Sequence, residues 1–81
     1  MNKVLDIVKL TKDREVILKI LESFNIDILK LESMSSHDKA KHNYRIWLGG
    51  INKLLYQKNK IEIENALNES FLNRNIIFTF R

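Results

Sequence analysis

The chain has 81 residues, 44% of them hydrophobic and 30% charged, with a formal net charge of +4, no cysteine and no proline. That length suits a single domain, residues 1–81, and the composition is too apolar for a disordered chain. Without cysteine there are no disulfides, thiol nucleophiles or cysteine metal sites, and no apolar run nears the ~20 residues of a membrane span.

The N-terminal MNKVLDIVKL lacks the pattern of a secretory signal, so a cytoplasmic protein with no membrane partner is expected. Residues 4–10 (VLDIVKL) are rich in β-branched and aliphatic side chains and read as a strand, with Val4 and Val8 on one of its faces. Thr11 suits an N-cap, and Asp13 and Glu15 place acids where a helix dipole favours them. A helix is expected from Asp13 to about Phe24, because Val16, Ile17, Ile20, Leu21 and Phe24 form one apolar stripe. Asn25 and Asp27 end it, and residues 26–33 (IDILKLES) read as a second strand.

Residues 35–43 (SSHDKAKHN) are polar throughout and read as a loop. In YRIWL, residues 44–48, Tyr44, Ile46 and Leu48 alternate with Arg45 and Trp47 as in a strand. Gly49-Gly50, the only glycines, end it. Residues 51–73 read as mostly helix, either unbroken or as a short helix or hairpin, since residues 60–64 (KIEIE) alternate, before a helix from about Glu62 to Asn73. Residues 76–80 (IIFTF) read as a final strand.

The order β-α-β-β-α-β predicts a ferredoxin-like α+β sandwich, with two helices on one face of a four-stranded antiparallel sheet. The alternative is a small all-α bundle, since Ile17, Leu21, Phe24, Ile28 and Leu31 also fit one continuous helix.

Asp13-Arg14 at the start of a helix, the Ile26-to-Ser33 strand ending in Glu-Ser, and the YRIWL strand resemble an ACT domain, a small regulatory module of amino-acid metabolism. The likeness covers about residues 10–48 and implies a regulatory, ligand-sensing fold without catalysis of its own. Where that family carries Pro-Gly in its ligand turn, this chain has Glu15-Val16. A side chain there obstructs the close backbone approach that glycine allows.

Candidate chemistry is sparse. His37, Asp38 and His42 lack a third and fourth ligand at metal spacing, and a solvated loop explains them better. Glu62, Glu64 and Glu69 read as surface charge, because paired catalytic acids need a cleft and opposed environments. No glycine-rich phosphate loop exists, so no cofactor, no metal and no enzymatic activity are expected.

Trp47 and Arg45 point away from Tyr44, Ile46 and Leu48, and Ile77 points away from Ile76 and Phe78. With Val4 and Val8 they would form an apolar sheet face open to solvent, an interaction surface with a hot-spot composition. The plainer reading is that loops cover these residues. The expected function is therefore a regulatory interaction module, an inhibitor or adaptor of the kind a phage or mobile element encodes. It would bind another protein and itself as a homodimer, with a small ligand as a subsidiary option. The alternative is nucleic-acid binding, with bases stacked on Trp47 and phosphates held by Lys39, Lys41 and Arg45.

Overall fold

The computed structural model describes residues 3–35 and 42–81. The elements run α1 (Lys3–Ser23), β1 (Lys30–Ser35), β2 (His42–Trp47), α2 (Gly50–Lys58), α3 (Lys60–Ser70) and β3 (Ile76–Phe80). The expected helix over 13–24 is the second half of α1. The segment expected as a first strand, residues 4–10, is its first half. Nothing between Leu10 and Asp13 breaks a helix, and β-branched residues hold a strand only where a neighbouring strand offers pairing. The fourth strand is thereby lost, and the four-stranded antiparallel sandwich is replaced by three helices on a three-stranded mixed sheet.

The switch from coiled to extended backbone falls at Asn25, as the local sequence predicts. Ile26 N–H donates to Leu21 O at 3.0 Å and Asn25 N–H to Glu22 O at 2.9 Å, with Asn25 in the left-handed region at φ 61°. Those two bonds are a Schellman closure, which satisfies carbonyls that the helix end would otherwise leave bare. Ile26 and Leu21, its hydrophobic pair, are both buried. An unbroken helix through residue 31, as the all-α bundle requires, is excluded by this turn. β1 itself starts at Lys30, four residues later than expected.

The sheet order is β1-β2-β3. β1 and β2 are antiparallel with Leu31 opposite Ile46 and Ser33 opposite Tyr44. β3 runs parallel to β2, with Tyr44 beside Phe78 and Ile46 beside Phe80, after the crossover through α2 and α3. Residues 51–73 therefore hold two helices, separated at Asn59, whose side-chain amide donates to Leu55 O at 2.9 Å. Mid-helix Asn competes for backbone partners in this way and weakens helix continuity.

All three helices pack on one face of the sheet. Tyr44, Ile46 and Leu48 from that face are buried with Ile17 and Leu21 of α1, Ile63 and Leu67 of α3, and Phe71. Tyr56 of α2 stacks on Phe80 with ring centroids 4.0 Å apart, and Phe71 and Tyr44 flank Phe78. Each such fully buried aliphatic side chain contributes about 1.5–3 kcal/mol relative to exposure.

One polar cluster lies at the edge of this core. Arg74 donates to both oxygens of Asp13, at 2.6 and 2.8 Å, and the Tyr44 hydroxyl donates to the same carboxylate. Asp13 is only 5% exposed, so the trio ties α1 to β2 and to the turn before β3. Asn73, left-handed at φ 65°, turns the chain just before Arg74.

Candidate interaction face

Because strand side chains alternate between faces, burying Tyr44 and Ile46 sends Asn43, Arg45 and Trp47 to the other side of the central strand. Register then sets their neighbours. On that outer face Lys30 lies opposite Trp47, Glu32 opposite Arg45 and Met34 opposite Asn43. On the other flank Ile77 lies beside Asn43 and Thr79 beside Arg45.

The Trp47 indole N–H donates to Glu32 Oε1 at 2.7 Å, which holds the ring in one orientation. Lys30 Nζ lies 3.8 Å from Glu32 Oε2, a solvated pair of small energetic weight. Thr79 Oγ1 donates to Asn43 Oδ1 at 3.2 Å. Arg45 forms no ion pair among the described residues, and its Nε is buried without a hydrogen-bond partner. A buried donor left unpaired costs roughly 1–3 kcal/mol. Met34 and Ile77, 44% and 45% exposed, lie on either side of Asn43, diagonal to Arg45.

Of the residues predicted for an interaction face, Arg45, Trp47 and Ile77 come together on this side of the sheet. Val4 and Val8 do not join them as strand residues, because they belong to α1, and their side chains lie outside the described set. Lys39 and Lys41, expected to meet phosphates with Arg45, also lie outside the described residues, as do His37 and Asp38. Met34, Glu32 and Thr79 were not legible as members of the face. Met34 falls past the expected end of its strand, and the other two enter only through register.

The inner face carries a second polar group. His42 opens β2, bonded through Nε2 to Ser33 Oγ, its ring 4.7 Å from that of Tyr44. A serine–histidine pair acquires nucleophilic character when a carboxylate orients the imidazole. Here the nearby carboxylate, Asp13, is bonded by Arg74 and Tyr44 instead.

Burial alone would raise the Asp13 carboxyl. The hydrogen bonds from Arg74 and Tyr44, with the Arg74 charge, outweigh it and hold the group below the usual carboxylate range. The Tyr44 hydroxyl is pushed well above its ordinary value by burial first, then by the hydrogen bond to Asp13. Both shifts are those of a structural clip.

Among the described residues no group of three His, Cys, Asp or Glu is placed to hold a metal, and no helix is long and apolar enough to cross a membrane. A cleft of about 270 Å³ lies between α3 and β3, lined by Glu64, Leu67, Asn68, Ile76 and Phe78 among others. It falls just under the ~300–1,000 Å³ typical of small-molecule sites.

No protein-family model, no curated protein and no solved structure matches this chain.

Proposed function

We propose that this chain is a non-enzymatic interaction module that docks a partner protein on the outer face of its sheet. The observation that carries this reading is the one-sided architecture. All three helices cover one face, leaving Trp47, Met34 and Ile77 around an Arg45 whose Nε has no partner. Aromatic and arginine side chains in a partly dry setting are the usual anchors of binding energy. A carboxylate arriving over β2 would pair with the Arg45 guanidinium.

Charge favours a different chain over a second copy. In a face-to-face pair, Arg45 on the central strand would approach its own counterpart near the two-fold axis, and like charges there repel. Nucleic acid is disfavoured by Glu32, whose carboxylate sits beside Trp47 where a phosphate backbone would pass.

The test is a quantitative pull-down from the native cell, with the captured protein then titrated in purified form. Trp47→Ala and Arg45→Glu should each weaken binding at least 30-fold, about 2 kcal/mol, whereas Glu69→Ala, at an exposed position of α3, should not. Equal affinity for all four chains, or a shift of single-stranded oligonucleotides abolished by Trp47→Ala, would overturn the reading.

A further inference from the structure

We infer that the free edge of β3 is a docking site for a second copy of this chain, the two β3 strands pairing antiparallel about Phe78. β3 ends the sheet, with β2 on one flank and no strand on the other among the described residues. Arg81 N–H donates to Ile46 O, Arg81 O accepts the Leu48 N–H, and Asn75 O accepts the His42 N–H. The odd-numbered residues from 75 to 81 therefore turn their backbone groups to β2, and by alternation Ile76, Phe78 and Phe80 turn theirs outward. The Ile76 N–H is taken by Arg74 O at 3.0 Å, whereas those of Phe78 and Phe80 have no partner among the described residues. Such a row of unpaired donors and acceptors is a template for another strand.

A second copy fits this edge by its own sequence. About a two-fold axis at Phe78, the strand pairs Phe78 with Phe78, Ile76 with Phe80 and Ile77 with Thr79. Phe78 then exchanges both of its outward bonds with its counterpart, and each Phe80 N–H meets an Ile76 O, while the engaged Ile76 N–H is not needed. Aromatic and β-branched side chains oppose one another across the new ladder. Residues 76–80 carry no charge, and Arg81 falls opposite Asn75, so like charges do not meet. The other edge strand, β1, holds Lys30 and Glu32, side chains of the kind that keep an edge from pairing. The cleft of about 270 Å³ gives the incoming side chains room. Ile77 borders it together with Phe78 and Phe80, and residues from both faces of a strand share one space only around its edge; Glu64 and Asn68 of α3 form the far wall. Glu64 is exposed to water and accepts the Tyr56 hydroxyl at 3.4 Å. Edge-on pairing also keeps the two Arg45 side chains three strand spacings apart, about 14 Å, beyond the screening length of roughly 8 Å at physiological salt. The inference goes beyond the outer face, which stays open on both copies along one continuous sheet.

The experiment is size exclusion with light scattering at micromolar concentration, with backbone hydrogen exchange on the same samples. A dimer of twice the 9.6 kDa chain mass is expected, its Phe78 and Phe80 amides protected and losing that protection on dilution. N-methylation of the Phe78 amide, introduced by chemical synthesis, should abolish the dimer, because it removes the outward N–H and leaves the ring and the bonds to β2 in place. Ile77→Lys, at a position 45% exposed, should do the same, since the two lysines would lie diagonally across the axis. Thermal melts check that both variants fold. Arg45→Glu and Trp47→Ala should leave the dimer intact, which separates this edge from the outer face. Cross-links to a second copy carry twice the chain mass and are told apart from those to a different protein. A monomer throughout, a species larger than the dimer, a dimer that survives both edge variants, or one lost on Arg45→Glu would each overturn the inference. A monomer whose Phe78 and Phe80 amides become protected only with another protein would assign the edge to that protein and overturn it as well.

Discussion

Replacing Asp13 by Ala should damage this fold more than any other single change at a charged residue among those described. Asp13 is 5% exposed and accepts three hydrogen bonds, two from Arg74 and one from the Tyr44 hydroxyl. Without it, Tyr44, 1% exposed, keeps a buried hydroxyl with no acceptor, a cost of roughly 1–3 kcal/mol. The Arg74 side chain is 36% exposed and recovers water, so the loss of its ion pair adds only about 1 kcal/mol. The sum, about 2–4 kcal/mol, is a large share of the roughly 4–12 kcal/mol available to a domain of this length. At about 4–8 °C per kcal/mol for a small domain, Tm should fall by at least 8 °C. Circular-dichroism melts of Asp13→Ala against Glu15→Ala, an exposed acid on the same helix, supply the measurement. Adding Tyr44→Phe to Asp13→Ala should recover about 1 kcal/mol, because it removes the stranded hydroxyl. A fall in Tm no greater than that of Glu15→Ala, or no recovery in the double variant, would show that the trio does not hold α1 to the sheet.

Three further outcomes follow from the same structure. The Asp13 carboxyl sits below its ordinary value in the folded chain, so its contribution is present above the unfolded value of about 3.9 and lost as pH falls through the lower folded one. Denaturant titrations from pH 6 to pH 2 should therefore show a stability loss that Asp13→Asn reduces. Asn25→Gly should preserve or slightly raise stability, whereas Asn25→Val should lower it by about 1–2 kcal/mol, because valine is strained at φ 61°. Urea titration of both variants decides this. Trp47→Ala should change Tm by no more than a few degrees while abolishing partner binding, because the ring serves the outer face and not the core.

The chain's legibility varied with how local the deciding physics was. The break at Asn25 is readable because Asn25 and Asp27 favour a helix end, although the aliphatic spacing itself runs on through Ile28 and Leu31. The strands around Ile46 and Phe78 were readable by their alternation and β-branched content. Residues 4–10 have the composition of a strand, yet a strand needs a neighbour, and helix propagation from Asp13 backwards meets no breaker. The sequence does not decide the split at Asn59, since its backbone competition shows only once Leu55 O is within reach. Of the candidate face, period-two alternation brought out Trp47, Arg45 and Ile77. Met34, Glu32 and Thr79 depend on pairing register, and so do the parallel strand order and the Asp13–Arg74 clip, which spans 61 residues. The ferredoxin-like topology fell with the first strand, and of the expected outer face Arg45, Trp47 and Ile77 share one side of the three-stranded sheet while Val4 and Val8 belong to α1.

Photo-cross-linking from position 77 in the native cell tests most directly whether the outer sheet face is where a partner docks. A benzophenone side chain in place of Ile77 should capture a discrete protein adduct, lost when Arg45→Glu is added and absent when the label stands at Glu69. Labelling that is the same at both positions, or that persists with Arg45→Glu, would contradict the account.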